Sequence, residues 1–168
     1  MSTTEVLVRE ARTSDVRAVR TLVDLYAAER ILLSKATVTL YEDVQEFYVA
    51  EVAGEVVGCG ALHVLWEDLA EVRTLAVDPA HRRHGIGHRL LQRLLEQARH
   101  VGVQRVFVLT FETDFFASHG FREIAGTPVD HAVFEQLLQS YDEGVAEFLD
   151  LERVKPNTLG NSRMLLHL

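Results

Sequence analysis

One stretch of the sequence combines glycine with positive charge in a pattern that suits a phosphate ligand. Residues 72–77 predict a strand, and Arg82, Gly85 and Gly87 follow it with the spacing Arg-x-x-Gly-x-Gly before a helical pattern begins. A helix N-terminus presents unpaired backbone N–H groups and partial positive charge, and glycine lets a ligand approach the backbone closely. The chain carries a net charge of −8, so the local charge opposes the overall one. We predict that a pyrophosphate group binds this loop, at Arg82, Arg83, His84, Gly85, Ile86, Gly87 and His88.

This loop does not fit the two commonest nucleotide motifs. A Walker loop continues with Lys-Ser/Thr, whereas His88 follows Gly87 here, and a dinucleotide fingerprint needs a third glycine. The loop instead resembles the acetyl-CoA loop of the GCN5-related N-acetyltransferases, Arg/Gln-x-x-Gly-x-Gly/Ala, between a strand ending Leu-Ala-Val-Asp-Pro and a long helix. The resemblance implies acetyl-CoA as cosubstrate. It also implies that backbone N–H groups of Leu75, Ala76 and Val77 hold the pantetheine arm and polarise the thioester carbonyl.

Further segments are similar to the N-acetylglutamate synthase branch of this family. They are residues 31–35, 57–62, 71–77, 105–110 and 115–121, and residues 152–165 are similar to its short single-domain form. The resemblance covers nearly the whole chain. It implies transfer of acetyl to the α-amino group of glutamate or glutamine, the first step of arginine biosynthesis, with feedback inhibition by arginine. We expect direct attack in a ternary complex, without a covalent enzyme intermediate. A homodimer is compatible with the sequence, and the number of subunits stays open.

The chemistry requires a base, because an α-amino group is protonated at neutral pH. Glu71 is the candidate, since it lies on the strand that leads to the loop. The alternative is an exposed strand carboxylate that pairs with neighbouring cations. Many relatives carry a tyrosine as general acid where this chain has Phe116, and Thr113 is the nearest hydroxyl. The alternative for Thr113 is an N-cap of a helix over residues 114–119. An acid is helpful but not obligatory, because a thiol of pKa about 8.5 can leave largely as thiolate.

An amino-acid acceptor also needs a cation for its α-carboxylate. Lys35 and Arg163 are the candidates, and Ser162 with Arg163 matches a Ser-Lys pair of the family at the start of the last strand. Either cation could instead be an ordinary solvated side chain. Asn161 and Thr110 are predicted to meet the acceptor side chain through hydrogen bonds.

Hydrophobic periodicity predicts the element order β-α-β-β-β-α-β-α-β, with a hairpin over residues 47–66 and a helix from Gly85 that Gly102 ends. We therefore expect an α/β (α+β) GNAT fold: a mixed central sheet, splayed at the acetyl-CoA site, with helices on both faces. The region from Arg30 to Tyr41 is less regular. After Pro128 follow a helical pattern, a second apolar segment and a final strand, over residues 133–141, 145–151 and 163–168 respectively.

Composition limits the number of domains, the cellular compartment and the kinds of ligand that we expect. With 168 residues, 48% of them hydrophobic, the chain fits a single acetyltransferase domain over residues 1–168. The single cysteine, Cys59, stands in an apolar run that favours a buried, inert thiol and a reducing cytoplasm. The sequence lacks signal-peptide and membrane-span patterns, and the basic cluster is too small for nucleic acid. His81, His84 and His88 lack the carboxylate or thiolate that would complete a zinc site, so we expect no metal.

Two other functions fit the same loop. An acetyltransferase could act on a drug amine or a protein N-terminus, which an acidic acceptor cleft would favour. A sensor could bind acyl-CoA or arginine without turnover. Acid-rich segments at Asp142 and Glu143 and over residues 147–152 could hold a cationic effector or form a subunit contact.

Overall fold

A seven-stranded sheet forms the centre of the protein. The computed structural model describes residues 5–29, 35–154 and 160–168. The strands are β1 (Val6–Glu10), β2 (Phe47–Val52), β3 (Glu55–Trp66), β4 (Leu69–Val77), β5 (Arg105–Thr110), β6 (Arg122–Ile124) and β7 (Ser162–His167). Their spatial order is β1-β2-β3-β4-β5-β7-β6, and every pairing is antiparallel except that of β4 with β5. The predicted mixed sheet is confirmed.

Within the described part of the chain, six α-helices pack on the two faces of this sheet. They are α1 (Val16–Ala28), α2 (Thr37–Glu42), α3 (Ile86–Val101), α4 (Thr113–Ala117), α5 (His131–Leu137) and α6 (Glu143–Phe148). Side chains alternate between the faces of a strand. Tyr48 of β2 accordingly packs in the cluster of α3 and α4, whereas its neighbour Val49 packs with α1 and α2. Phe107 of β5 packs with α5 and α6. Within the described residues, no helix has the length and apolar character needed to cross a membrane.

The long helix α3 fixes the position of the predicted phosphate loop. Gly85 precedes it with φ of 74° and Gly102 follows it with φ of 99°, two left-handed conformations that favour glycine. One face of α3 is buried on the sheet, and each buried leucine contributes roughly 1.5–3 kcal/mol. These residues are Ile86, Leu90, Leu91, Leu94, Leu95 and Ala98. The helix over residues 86–101 therefore confirms the helix predicted from the sequence.

The parallel pairing of β4 with β5 is short, and this opens the sheet. It consists of the pairs Leu69 with Arg105, Ala70 with Val106 and Glu71 with Phe107. Beyond Glu71 the two strands part and leave one edge of β4 without a neighbouring strand. We call the gap between them the fork.

A bulge in β4 lies beside the fork. The register with β3 shifts between the pairs Cys59 with Ala76 and Ala61 with Arg73, so that two residues of β4 stand opposite Gly60. One of them, Thr74, has a φ of 56°, which is uncommon for a residue other than glycine. A side chain at Gly60 would come within 3.0 Å of Leu75, so the glycine makes room for the bulge.

The sequence analysis differs from the structure at two places outside the site. The region around residues 37–42 holds the helix α2, which the pattern does not predict. The helix predicted over residues 133–141 ends at Leu137, and the apolar segment that follows becomes α6 over residues 143–148. Residues 30–34 and 155–159, which carry part of the family resemblance, lie outside the described residues.

Candidate active site

A pocket of about 660 Å³ lies in the fork. One end reaches the N-terminus of α3, and the other end reaches α6. The structure brings most of the predicted site residues together in its wall: Lys35, Glu71, Leu75, Ala76, Val77, Arg82, Arg83, Gly85, Gly87, His88, Thr110 and Asn161. His84, Ile86, Thr113, Ser162 and Arg163 are not among the residues that line it.

The helix end of the pocket has the properties of an anion site. The first backbone hydrogen bond of α3 runs from the Arg89 N–H to the Gly85 carbonyl at 3.1 Å. The N–H groups of the turn before Arg89 come before this bond, where a helix offers them no backbone acceptor. Ile86 is buried with 2% exposure, which leaves its backbone N–H as the group that could meet a ligand. His84 is exposed and is not among the residues that line the pocket.

Tyr26 of α1 connects the two sides of this anion site. Its hydroxyl donates to the carbonyl of Val77 at 2.5 Å, and Arg82 Nη2 donates to the same hydroxyl at 2.8 Å. This hydrogen bond raises the pKa of Arg82, so the guanidinium stays charged. Tyr26 lines the pocket, although the sequence places it on the apolar stripe of a helix, where it is expected in the core.

Two histidines meet beside the same helix end. His88 Nδ1 lies 2.6 Å from His119 Nε2, and the His88 ring lies 4.8 Å from the ring of Phe115 between centroids. Burial lowers the pKa of His119, and the neighbouring His88 lowers it further. At least one of the two rings must therefore be neutral, because a hydrogen bond between them needs an acceptor nitrogen.

Glu71 lies at the opposite end of the pocket, at the last hydrogen-bonded pair before the fork. The residue is 2% exposed, so the alternative of an exposed strand carboxylate is wrong. Its Oε1 accepts from Arg73 Nε at 2.7 Å, whereas its Oε2 has no hydrogen-bond partner. Burial raises the pKa of Glu71 despite the positive charge of Arg73. A buried carboxylate with a raised pKa and a free oxygen can accept a proton from an amine.

The arginine beside Glu71 joins β4 to α6, and the sequence analysis did not single it out. Arg73 Nη1 lies 2.8 Å from Asp142 Oδ1, and Nη2 has no hydrogen-bond partner. The guanidinium packs directly on Gly144, where a Cβ atom would stand 2.3 Å from Cζ. Burial opposes the charge of Asp142, but Arg73 outweighs it and lowers the pKa of Asp142. An acidic and a basic residue two positions apart in an apolar strand share one face, and this was the available signal.

Glu147 of α6 also lines the pocket. Burial raises its pKa to about 7, and the charge of Glu71 raises it as well. The sequence analysis placed Glu147 in an acid-rich segment for an effector or a subunit contact. The structure places it in the wall of this pocket.

Arg163 does not reach the pocket. Its Nε donates to the carbonyl of Gly126 at 2.8 Å and its Nη2 donates to the carbonyl of Phe148. The guanidinium also lies 5.0 Å from the centroid of the Phe107 ring. The neighbouring Ser162 pairs with Thr110 in the register of β7 and β5. These contacts hold the Arg163 guanidinium against two backbone carbonyls and the Phe107 ring.

Thr113 is the first residue of α4, and the N-cap position belongs to Glu112. The prediction of Thr113 as N-cap is therefore wrong by one residue. The cause is an earlier turn: Thr110 Oγ1 accepts from the Glu112 N–H at 2.8 Å as β5 ends. Lys35 does line the pocket, and its backbone carbonyl accepts a hydrogen bond from Arg20 Nη1.

Over residues 5–29, 35–154 and 160–168, the structure places no three or more histidine, cysteine, aspartate or glutamate side chains where they could hold a metal ion. The site described above thus consists of a cationic helix end, an unpaired strand edge and a buried carboxylate. This set of groups suits a phosphorylated thioester and an amine.

Comparison with known proteins identifies the family. The model of the acetyltransferase (GNAT) family matches residues 16–126. The chain belongs to this family. The matched residues include the strand of the bulge, the cationic loop and α3.

Two curated GNAT-type relatives align over most of the chain. An amino-acid acetyltransferase from Mycobacterium tuberculosis is 67% identical over 163 residues, which cover 95% of this chain and 93% of the relative. An uncharacterised N-acetyltransferase from Chlorobaculum tepidum is 36% identical over 124 residues, which cover 74% of this chain and 80% of the relative.

Solved structures share the fold. A Mycobacterium tuberculosis protein in complex with CoA superposes with a TM-score of 0.93 at 67% identity, over 96% of this chain and 99% of that one. The N-acetylglutamate synthase of Neisseria gonorrhoeae, complexed with coenzyme A and N-acetyl-glutamate, superposes with a TM-score of 0.77 at 24% identity. This chain is covered to 99% and spans 36% of the synthase. The predicted GNAT fold is confirmed.

Proposed function

We propose that this protein transfers the acetyl group of acetyl-CoA to the α-amino group of an amino acid, glutamate or glutamine. The observation that carries the proposal is the buried Glu71, whose Oε2 is free in a pocket that also holds the cationic loop. The relative from Mycobacterium tuberculosis that is 67% identical is named an amino-acid acetyltransferase, which supports the same class of acceptor.

The coenzyme occupies the helix end and the fork. Its pyrophosphate lies on the N-terminal turn of α3, where Gly85 and Gly87 permit close approach and Arg82 and Arg83 supply charge. Its pantetheine arm runs along the unpaired edge of β4. Backbone N–H groups there, at Leu75 to Val77, polarise the thioester carbonyl and stabilise the oxyanion that forms during attack.

The acceptor occupies the end of the pocket near α6. Glu71 Oε2 takes a proton from the ammonium group, directly or through a water molecule, and the free amine attacks the thioester carbon. The tetrahedral intermediate collapses: the nitrogen gives up its remaining extra proton to solvent water, the C–S bond breaks, and coenzyme A leaves as thiolate while a neutral amide forms. Since neither Phe116 nor Thr113 offers a hydroxyl in the pocket wall, we propose that solvent protonates the thiolate.

The acceptor end favours an amino acid over a simple amine. Lys35 and Arg73 bring positive charge to this end beside the carboxyls of Glu71 and Glu147, so the end offers charged groups to both the carboxylate and the ammonium group of an amino acid. Thr110 and Asn161 add neutral hydrogen-bonding groups for the acceptor's side chain. A drug amine or a protein N-terminus offers no α-carboxylate for these two cations.

The proposal extends to the pathway, the compartment, the regulation and the oligomeric state. We place the protein in arginine biosynthesis, in the cytoplasm, as a single domain over residues 1–168 that arginine inhibits and that forms a homodimer. Inhibition curves with arginine and light scattering after size-exclusion chromatography test the last two points.

A thiol-release assay across the twenty amino acids, with and without arginine, tests the reaction. We expect release of coenzyme A with glutamate or glutamine above all others. Calorimetry with acetyl-CoA accompanies the assay. Coenzyme binding without thiol release for any amino acid would contradict the proposed function and favour a sensor.

A further inference from the structure

Arg73 and Glu71 each keep one polar atom unused in the wall of the same pocket. Among the described residues, Glu71 Oε2 and Arg73 Nη2 are the two buried side-chain atoms without a hydrogen-bond partner. The side chains are 3% and 7% exposed, so bulk water does not satisfy these atoms. Buried donors and acceptors are nearly always paired in folded proteins, and an unpaired one calls for an explanation.

The two free atoms have complementary chemistry. Arg73 Nη2 is a cationic donor with two N–H groups, and Glu71 Oε2 is an anionic acceptor. The 2.7 Å hydrogen bond between Nε and Oε1 holds the two groups side by side. A molecule with a carboxylate and an ammonium group on one carbon atom carries the complementary pair of groups.

We infer that Arg73 and Glu71 together recognise the zwitterionic head of the acceptor, an inference that rests on the proposed function. Arg73 Nη2 donates to the α-carboxylate, and Glu71 Oε2 accepts from the α-ammonium group. The oxygen that binds the ammonium group is therefore the one that removes its proton. Recognition of the α-carboxylate thus positions the amine on its base.

Asp142 and Gly144 hold Arg73 in this orientation. Asp142 Oδ1 lies 2.8 Å from Nη1, and Nη2 is the guanidinium nitrogen that keeps no hydrogen-bond partner. The lack of a side chain at Gly144 makes room for the guanidinium of Arg73, because a Cβ atom there would stand 2.5 Å from Nη2. This arrangement assigns the α-carboxylate to Arg73 rather than to Arg163, whose guanidinium contacts backbone carbonyls.

Acceptor pairs test the inference. The preferred amino acid is compared with its α-carboxamide, which keeps the amine and lacks the α-carboxylate, in the wild-type protein and in Arg73→Gln. We expect the wild type to favour the carboxylate on the order of 100-fold in kcat/KM, and Arg73→Gln to favour it less than about 5-fold. Both acceptors use the same base, so a change in Glu71 cancels from this ratio.

Arg105→Gln is the matched control. This substitution also removes an ion-paired strand arginine, which lies 3.1 Å from Asp68 and outside the pocket. The variant should keep the full preference for the carboxylate over the carboxamide. Gly144→Ala retains every charge and displaces the Arg73 guanidinium. Gly144→Ala should raise the acceptor KM about tenfold and leave the KM for acetyl-CoA unchanged. If circular dichroism shows that Arg73→Gln is unfolded, this second variant tests the role of Arg73.

The outcomes separate the two proposals. Equal losses for both acceptors in Arg73→Gln, or an unchanged acceptor KM in Gly144→Ala, would overturn the role of Arg73 while the acetyltransferase function stands. A wild-type protein that acetylates no amino acid would instead overturn the proposed function, and the inference with it.

Discussion

The hydroxyl of Tyr26 donates to the carbonyl of Val77 at 2.5 Å and accepts from Arg82 at 2.8 Å. One side chain of α1 thereby ties the end of β4 to the cationic loop that follows it. The ring also lies 5.6 Å from the Arg82 guanidinium. Since loops are the more mobile parts of a fold, this link keeps the loop positioned before the coenzyme arrives.

Tyr26→Phe should weaken acetyl-CoA binding without unfolding the protein. The ring and its packing remain, whereas both hydrogen bonds disappear, so a loss of about 1 kcal/mol, or roughly fivefold in Kd, is expected. Calorimetric titration measures the change. Tyr41→Phe, which alters an exposed tyrosine outside the pocket, serves as control. An unchanged Kd would show that Arg82 keeps its position without Tyr26.

Glu71→Gln should lower kcat by about 10²- to 10⁴-fold and leave the affinity for acetyl-CoA within about twofold, because only the base is lost. The raised pKa of Glu71 adds a pH signature. Wild-type kcat/KM should rise with pH as this carboxyl loses its proton, and the rise should be absent in the variant. The exposed Glu67 provides a control through Glu67→Gln. A variant with the wild-type profile would refute Glu71 as base.

Gly87→Ala should separate coenzyme binding from folding. A Cβ atom at this position would meet the Phe115 ring at 3.5 Å, which is ordinary contact, and alanine favours a helix more than glycine does. We therefore expect an unchanged or higher Tm. The methyl group also enters the pocket wall, where it should weaken acetyl-CoA binding about tenfold. A lower Tm in thermal unfolding, or unchanged binding, would contradict this account.

Cys59 should be inert in the folded protein. It is fully buried, burial raises its pKa to about 12, and its thiol donates to the carbonyl of Thr74 at 3.3 Å. Mass spectrometry after iodoacetamide treatment at pH 8 should find no label on the native protein and full labelling in denaturant. Cys59→Ala should retain activity within about twofold, consistent with no acyl-enzyme intermediate. Rapid native labelling would contradict this prediction.

Glu147 should make the folded protein less stable as the pH rises. Its pKa is raised to about 7, so between the ordinary glutamate pKa and that value the folded state binds a proton that the unfolded chain has released. The free energy of unfolding therefore falls with rising pH over this range. Glu147→Gln removes the penalty and should be more stable than the wild type by about 2–3 kcal/mol at pH 8, with little difference near pH 4.

Urea unfolding at several pH values measures the effect, with Glu123→Gln as the control for an exposed carboxylate. Equal stabilities of wild type and Glu147→Gln at pH 8 would show that Glu147 carries no such penalty.

The helix at one end of the pocket could be predicted from the sequence because its signals are local. A helical stripe bounded by Gly85 and Gly102 defines α3 without reference to the rest of the chain. The sequence failed to predict α2, because six residues with two threonines and a valine form a weak helix pattern.

The acceptor end could not be predicted as fully, because it joins residues from distant parts of the chain. Glu71 and Arg73 lie on β4, whereas Gly144 and Glu147 lie on α6. Nothing local shows that these two elements meet. The prediction for Arg163 illustrates the same limit: its charge was visible, but its capture by the carbonyls of Gly126 and Phe148 depends on tertiary packing.

The parting of β4 and β5 after Glu71 has a consequence for handling the protein. The amide-containing pantetheine arm of the coenzyme can pair with β4 in the fork and extend the sheet as a non-protein strand. Its binding then stabilises the folded state. Without a ligand in the fork, the unpaired edge of β4 can pair with strands from other molecules. Preparations saturated with coenzyme should therefore melt at higher temperature and precipitate less than those stripped of it.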